Sequence, residues 1–258
     1  MRCIFCLESD RPARSVEHII PESLGNTEHV LPRGVVCDLC NNYLARKVEK
    51  PLLDSIHFMN LRGRNVVPNK RGMVPPQYGF CPGAGTPVGI QFSSTEGLSI
   101  GAWDEADDEP FVKYILGSSK GCVLVPLEAR IDERVLARFL GKIGYEILAQ
   151  RLIAANLDVD ALSEQPELAL LRRFVRQGDV PDRWPVHRRR IYREGDSFQD
   201  DGQSYEVLHE YTLLCTDQIE IYAIVCLFGE EFVINLGGPS IEGYERWIAN
   251  NQGRSPLY

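Results

Sequence analysis

No apolar run in this chain approaches the roughly 18–20 residues needed to span a bilayer. The opening MRCIFCLESD has no long apolar stretch ahead of a small-residue cleavage site. A membrane span and a secretory signal are therefore not expected, and a reducing, cytoplasmic setting is. Positive charge is also in short supply: 28 Lys and Arg against 36 Asp and Glu leave a net charge of −8. That excludes a polycation coating nucleic acid nonspecifically, although not a local basic face, because steering depends on how charge is distributed. Internal repeats and low-complexity tracts are absent. Beyond the first 60 or so residues there is no Gly-rich phosphate loop, nucleophile elbow or second His/Cys cluster, so nothing there supports another class of enzyme.

What is present is ordinary in bulk and unusual at one end. With 258 residues, 44% of them hydrophobic and 25% charged, the chain suffices for one large domain or for a small module plus a main body. Four of its 8 cysteines form two close pairs, Cys3/Cys6 and Cys37/Cys40. In a reducing compartment such pairs serve as metal ligands rather than disulfide partners. Four thiolates around Zn²⁺ make a closed structural site, with no position left for water or substrate. Such a site contributes on the order of 10 kcal/mol to a segment too small to fold alone. Catalysis must then come from what the zinc holds in place. Cys81, Cys122, Cys215 and Cys226 lack this spacing and read as core residues.

Between the pairs lies EHIIPESLG, and the second pair runs straight into two asparagines as CDLCNN. CxxC, then EHIIPESLG, then CDLCNN heading a helix resembles the HNH endonuclease pattern in a zinc-stapled bacterial form, over about the first 55 residues. The resemblance implies a ββα-metal fold, in which a β-hairpin and a helix grip one catalytic divalent cation, Mg²⁺ or Mn²⁺. It also implies hydrolysis of nucleic-acid phosphodiester bonds. Carried over by position, His18 is the general base and Glu17, where most relatives have Asp, is a carboxylate ligand to the catalytic ion. Asn41 supplies the second ligand, with Asn42 as its alternative. An unperturbed imidazole pKa of about 6.5 suits proton abstraction near neutral pH, and hard oxygen ligands suit Mg²⁺ or Mn²⁺ rather than zinc. Relatives place an Asn shortly before the second cysteine pair to hold the catalytic His. Here LPRGVVC stands in that place, and Asn26 lies upstream.

The expected class is α+β: an HNH module over residues 1–60, and a larger α+β domain over 61–258 carrying an antiparallel meander. A helix is predicted from about Asn41 to Lys50, ended by Pro51, with a short one after it. RGRNVVPNKRGMVPPQYGFCPGAG reads as a linker. VGIQFSSTEGLSIGAW suggests short strands, and DEADDEP an acidic turn. The strongest helix is DERVLARFLGKIGYEILAQRLIAANL, N-capped by Asp132, with Leu136, Leu140, Ile143 and Ile147 on one stripe. PELALLRRFVRQGDVP gives another helix, stopped by Gly178 and Pro181. SYEVLHEYTLLC, QIEIYAIVCLF and EFVINLGG read as the meander.

Arg172, Arg173, Arg176, Arg188, Arg189 and Arg190 make the densest cationic stretch, and Arg62 and Arg64 begin a second one after the module. Guanidinium forks suit phosphate, while a solvated charged face explains the same run equally well. Trp184 and Tyr192 either stack on bases or anchor the segment. The resemblance implies a nuclease acting on DNA, with RNA left open, and stand-alone bacterial proteins of this pattern resemble restriction or phage-defence nucleases. The rival is a non-catalytic zinc-knuckle module that binds nucleic acid or protein. One module carries one base and one catalytic ion, so a double-strand break calls for a homodimer, expected through the apolar EIYAIVCLF.

Overall fold

The structure, a computed structural model, describes residues 2–69, 71–93, 97–193, 195–200 and 203–258. The first half of the chain runs β1 (Glu17–His18), β2 (Val30–Leu31), α1 (Asp38–Leu44), a π-helical turn (Ala45–Glu49), α2 (Lys50–Leu53) and α3 (Ile56–Arg64). Then follow β3 (Gln77–Cys81), β4 (Thr86–Ser93), β5 (Gly97–Ala102) and α4 (Asp108–Gly117). The second half has α5 (Glu133–Ala154), α6 (Asp160–Glu164), α7 (Pro166–Gln177), β6 (Val186–Arg190), β7 (Phe198–Asp200) and β8 (Gln203–Tyr205). It ends with β9 (His209–Cys215), β10 (Ile221–Leu227), β11 (Glu230–Asn235) and α8 (Glu242–Asn250). All strand pairs are antiparallel, and the class is α+β.

Contacts divide the chain into two units, and not at residue 60. One holds Met1–Pro21, Asn26–Leu52 and Asp132–Tyr258, the other Glu22–Gly25 and Leu53–Ile131. The N-terminal segment is too short to enclose a core, and it groups with the long helix and sheet of the second half.

In the first unit the sheet order is β6-β11-β10-β9. The meander is as expected, but a fourth strand joins it: β6 lies in the basic stretch and pairs with β11, Arg188 opposite Phe232. Helix α5 covers the sheet. Asp132 caps it, its carboxylate accepting from the amides of Arg134 and Val135, both at 2.9 Å. Leu136, Leu140, Ile143 and Ile147 are buried, as the periodicity predicts. Two glycines set its distance from its neighbours. A Cβ at Gly144 would lie 2.8 Å from Ala223 Cβ of β10, and one at Gly141 would lie 2.8 Å from Val175 Cγ2 of α7. Strand β10 is central, and Tyr222 to Leu227 have no exposed surface. EIYAIVCLF is thus paired on both edges and covered, so it offers no dimer edge, which corrects the expected interface. Trp184 is buried and donates its indole N–H to Asn235 O at 2.9 Å, so it anchors the sheet and does not stack on bases.

The second unit has the sheet β3-β4-β5 and a core of Cys81, Val88 and Phe111. The expected linker is in part structured. It holds the end of α3 and all of β3, joined by Asn60, whose side chain accepts from Tyr78 N at 2.6 Å. Lys70 of that stretch and residues 94–96 of the expected strands lie outside the described residues. The acidic turn is the start of α4, where Asp108 and Glu109 complement the helix dipole. Leu98, Ile100, Val112, Ile115 and Leu116 of β5 and α4 are exposed. Pro51 does not end its helix. The wide turn over Ala45–Glu49 precedes it, and the chain stays helical to Leu53. Of the unpaired cysteines, Cys81 and Cys226 are buried as expected, whereas Cys122 and Cys215 are exposed. Among the described residues no helix is long and apolar enough to cross a membrane.

Candidate active site and metal centre

The two CxxC turns converge. The Sγ atoms of Cys3, Cys6, Cys37 and Cys40 all lie within 4.8 Å of one another. The 3.7 Å between Cys6 Sγ and Cys37 Sγ matches an edge of a tetrahedron with Zn–S bonds of about 2.3 Å. The first turn closes through Leu7 N to Cys3 O at 2.8 Å, with Leu7 in the left-handed region at φ 64°. Backbone amides face the sulfurs: Cys37 N donates to Cys3 Sγ at 3.3 Å and Cys40 N to Cys37 Sγ at 3.5 Å. From α7, Arg176 Nε donates to Cys40 Sγ at 3.3 Å. A hydrogen bond from Cys40 is the main reason that the Cys3 thiol falls to about 4. The same contact, then burial, pushes Cys40 up, and burial raises Cys6. Four sulfurs this close share protons unless a cation holds them all as thiolates, so the donor set and its geometry fit a structural zinc.

The cysteines also place α1 against the strand that carries the dyad. Asp38 Oδ1 accepts from the amides of Arg14 and Ser15, each at 2.9 Å, and from Ser15 Oγ at 2.7 Å. One turn on, the Asn41 amide donates to Ser15 Oγ at 3.2 Å and to Val16 O at 3.3 Å. The residues just before Glu17 are thus tied to the head of the helix. Asn42 is exposed, and its amide donates to Asp38 O at 2.8 Å within its own helix. Asn41 is therefore the asparagine joined to the dyad's strand.

Glu17 and His18 form β1, Glu17 opposite Leu31 and His18 opposite Val30. Successive side chains of a strand leave on opposite faces, and here the two environments differ. His18 is half-buried. Glu17 is 4% exposed and meets a group that sequence reasoning missed, Lys142 of α5. The fully buried Lys142 Nζ lies 2.8 Å from Glu17 Oε1, 2.9 Å from Glu49 Oε1 and 3.0 Å from Glu146 Oε2. It also donates to His18 O at 2.8 Å. Burial alone would lower the ammonium's pKa, but the charges of Glu146, Glu17 and Glu49 outweigh it and hold it well above its usual value. Burial raises Glu17 and, more strongly, Glu146. Glu17 Oε2 is buried with no hydrogen-bond partner. One oxygen of this carboxylate is thus committed to Lys142, and the other fits a cation.

No Asn stands shortly before the second cysteine pair, and Asn26, upstream, is fully buried. Its Nδ2 donates to Ile20 O at 2.6 Å and His29 O at 3.0 Å, and its Oδ1 accepts from the amides of Glu28 at 3.0 Å and His29 at 2.8 Å. It cross-ties the two arms of the β1–β2 loop through the backbone. His29 packs edge-on to His209 and Tyr211, with centroids at 5.4 and 4.9 Å.

The candidate DNA-contacting arginines separate into three groups. Arg188 and Arg190 pair with buried Glu230 at 2.7 and 2.9 Å, and Arg189 pairs with buried Glu231 at 2.6 Å. Their charge is spent on acids inside the sheet. Arg62 is buried, which lowers its pKa, and Arg64 donates to Leu127 O at 3.2 Å. Arg172, Arg173 and Arg176 share one face of α7 beside the zinc knuckle.

Residues 3–57 match the family model described as HNH endonuclease. No curated protein and no solved structure matches the chain. The matched segment spans both cysteine pairs, β1, β2 and α1, so over these residues the chain is similar to the HNH endonuclease family.

Proposed function

We propose that the protein is a metal-dependent endonuclease of ββα-metal type that hydrolyses phosphodiester bonds of DNA. The observation that supports this most is the joining of β1 to α1: Asn41 and Asp38 hold the chain immediately before Glu17 and His18. In this reading Glu17, through the oxygen not held by Lys142, and Asn41, through its amide oxygen, hold Mg²⁺ or Mn²⁺. Asn42 is the poorer choice, since it faces solvent. An ion bound there would supply positive charge against the phosphate and the departing 3′ oxygen. His18 accepts the proton of the attacking water at its imidazole, with its main-chain carbonyl fixed by Lys142 and its loop by Asn26. Zinc at the four cysteines takes no part in the chemistry and keeps α1 against the first turn. The protein works in a reducing compartment, and restriction or phage defence is the setting that suits a nuclease of this form.

The test is nicking of supercoiled plasmid by zinc-loaded protein with Mg²⁺ or Mn²⁺ added. His18→Ala should lose about 10²–10⁴-fold in rate while keeping its zinc and its DNA affinity. Undiminished cleavage by His18→Ala would remove His18 as the base. A second reading is favoured by one observation, the burial of Glu17 against Lys142. In it, the motif is a structural knuckle that binds nucleic acid without cutting, and no added divalent ion produces nicks.

A further inference from the structure

The proposed chemistry leaves a second feature of the HNH segment unused. Between the Phe5–Glu8 turn and α7 lies a cleft of about 500 Å³. Arg11 borders it from one side, and Arg172, Arg173, Arg176 and Gln177 border it from α7. Their helical spacing of three and four puts those side chains on one face. Four guanidiniums meet here in a chain whose net charge is −8.

Two of the four are accounted for. Arg173 pairs with Asp179 at 2.8 Å and bonds Gln177 at 3.2 Å. Arg176 donates to Cys40 Sγ and lies over the Tyr43 ring, 5.3 Å from its centroid. Arg11 and Arg172 differ. Neither has a carboxylate partner among the described residues, and in each Nη1 is buried without an acceptor. Arg172 also lies near the Tyr145 hydroxyl, whose pKa it lowers against the effect of burial. The single acid on the cleft wall, Glu8, is exposed and cannot neutralise both. Unmatched buried N–H donors are costly, more so when charged. An anion with several oxygens would satisfy two forks at once. A carboxylate has two oxygens, which one fork already fills. A phosphate has more and presents them tetrahedrally, and the volume admits it together with an attached sugar.

We propose that this cleft is a phosphate-binding subsite in which Arg11 and Arg172 are the principal donors. The phosphate comes from a nucleic-acid backbone or from a free phosphoryl compound. Only the first source rests on the nuclease reading.

The experiment compares full-length, zinc-loaded wild type with Arg11→Gln/Arg172→Gln and with a control of equal charge, Arg151→Gln/Arg183→Gln. Anisotropy of fluorescein-labelled single- and double-stranded DNA is followed across NaCl concentrations without Mg²⁺ or Mn²⁺, so binding is read without cleavage. Broadening of the ³¹P line of inorganic phosphate is read in parallel, and bound zinc is measured on every variant. The cleft variant should lose about two from the slope of log K against log salt and bind DNA about tenfold or more weakly at low salt, while the control keeps most of its slope. Arg11→Lys/Arg172→Lys, which preserves charge and guards against a folding artefact, should keep the slope. If only phosphate broadening is seen in wild type, and the cleft variant loses it, the site takes a free phosphoryl group and the nucleic-acid reading fails alone. Unchanged slope and broadening in the cleft variant overturn the proposal, as does wild type that binds neither probe. Loss of zinc in step with loss of binding also overturns it, because the two arginines would then serve the thiolates.

Discussion

Lys142→Met tests whether strand β1 depends on α5. Methionine roughly preserves the length of the side chain and removes the charge. In the structure the ammonium serves three carboxylates at 2.8–3.0 Å and one carbonyl at 2.8 Å. Removing one partner of a buried ion pair costs about 3–5 kcal/mol, because the other charge is left buried. Here one cation offsets several acids, which argues for the top of that range. Glu146 works the other way, since its carboxyl is already held well above the usual range and takes up a proton readily. The expected loss is about 4 kcal/mol, a large part of the 5–15 kcal/mol typical of a folded domain. For a chain of this size it lowers Tm by about 10 °C. Urea unfolding followed by circular dichroism should show a lower midpoint at an unchanged slope. Adding Glu146→Gln to Lys142→Met should recover part of the loss, and the double-mutant cycle should give a coupling of about 1 kcal/mol or more. A loss below about 1 kcal/mol, or two changes that simply add, would show that Lys142 does not hold these acids together.

Elemental analysis should find one zinc per chain, and Cys37→Ser should release it and cost several kcal/mol, because metal binding and folding are linked here. Fully folded protein without zinc, judged by its melting curve, would contradict the site. Asn26→Ala should cost about 2–3 kcal/mol through unmatched buried amides and carbonyls. It should also lower any cleavage rate with zinc unchanged, which melting curves and a plasmid assay would check.

The parts legible in the sequence are those written in short-range chemistry. Paired cysteines at fixed spacing, the Asp132 cap, the α5 stripe and the strands of the meander each state their role within a few residues. What was missed depends on partners far along the chain. Strand β6 reads VHRRR, with no alternation. Its strand character comes from Glu230 and Glu231, buried on β11 and needing cations. Helix α4 was hidden by acids that suit a helix start as well as a turn. Asn26 acts on backbone from the middle of a loop, whereas the side chain expected to hold His18 was sought next to the second cysteine pair. Lys142 did leave a signal. It and Glu146 are four residues apart, in a row that Arg138 and Gln150 continue at either end, and both are buried beside the apolar stripe of Leu140, Ile143 and Ile147. A charged pair beside such a stripe implies a further partner, but nothing local says that the partner is Glu17.

Glu17 shows how residues 3–57 are tied to the second half of the chain. A carboxylate that is to hold a hard cation must be ionised and fixed in position, yet burial on β1 pushes Glu17 toward the neutral form. Lys142 favours the ionised form by pairing with Oε1, and it simultaneously fixes the carbonyl of His18, the neighbouring residue. The cysteine cluster sits on the other side of this arrangement: it lies at the first turn and the head of α1, from which Asp38 and Asn41 bond Arg14, Ser15 and Val16, just before β1. Two supports therefore converge on one dipeptide, one through the cysteines and one from a helix over a hundred residues away. Positioning of reacting groups is worth most when it is complete before substrate arrives, and under the proposed reading it takes both the cysteine segment and α5 to complete it. The pairing of Lys142 with Glu17 and Glu49 is among the contacts that join Met1–Pro21 and Asn26–Leu52 to the second half of the chain in the first unit.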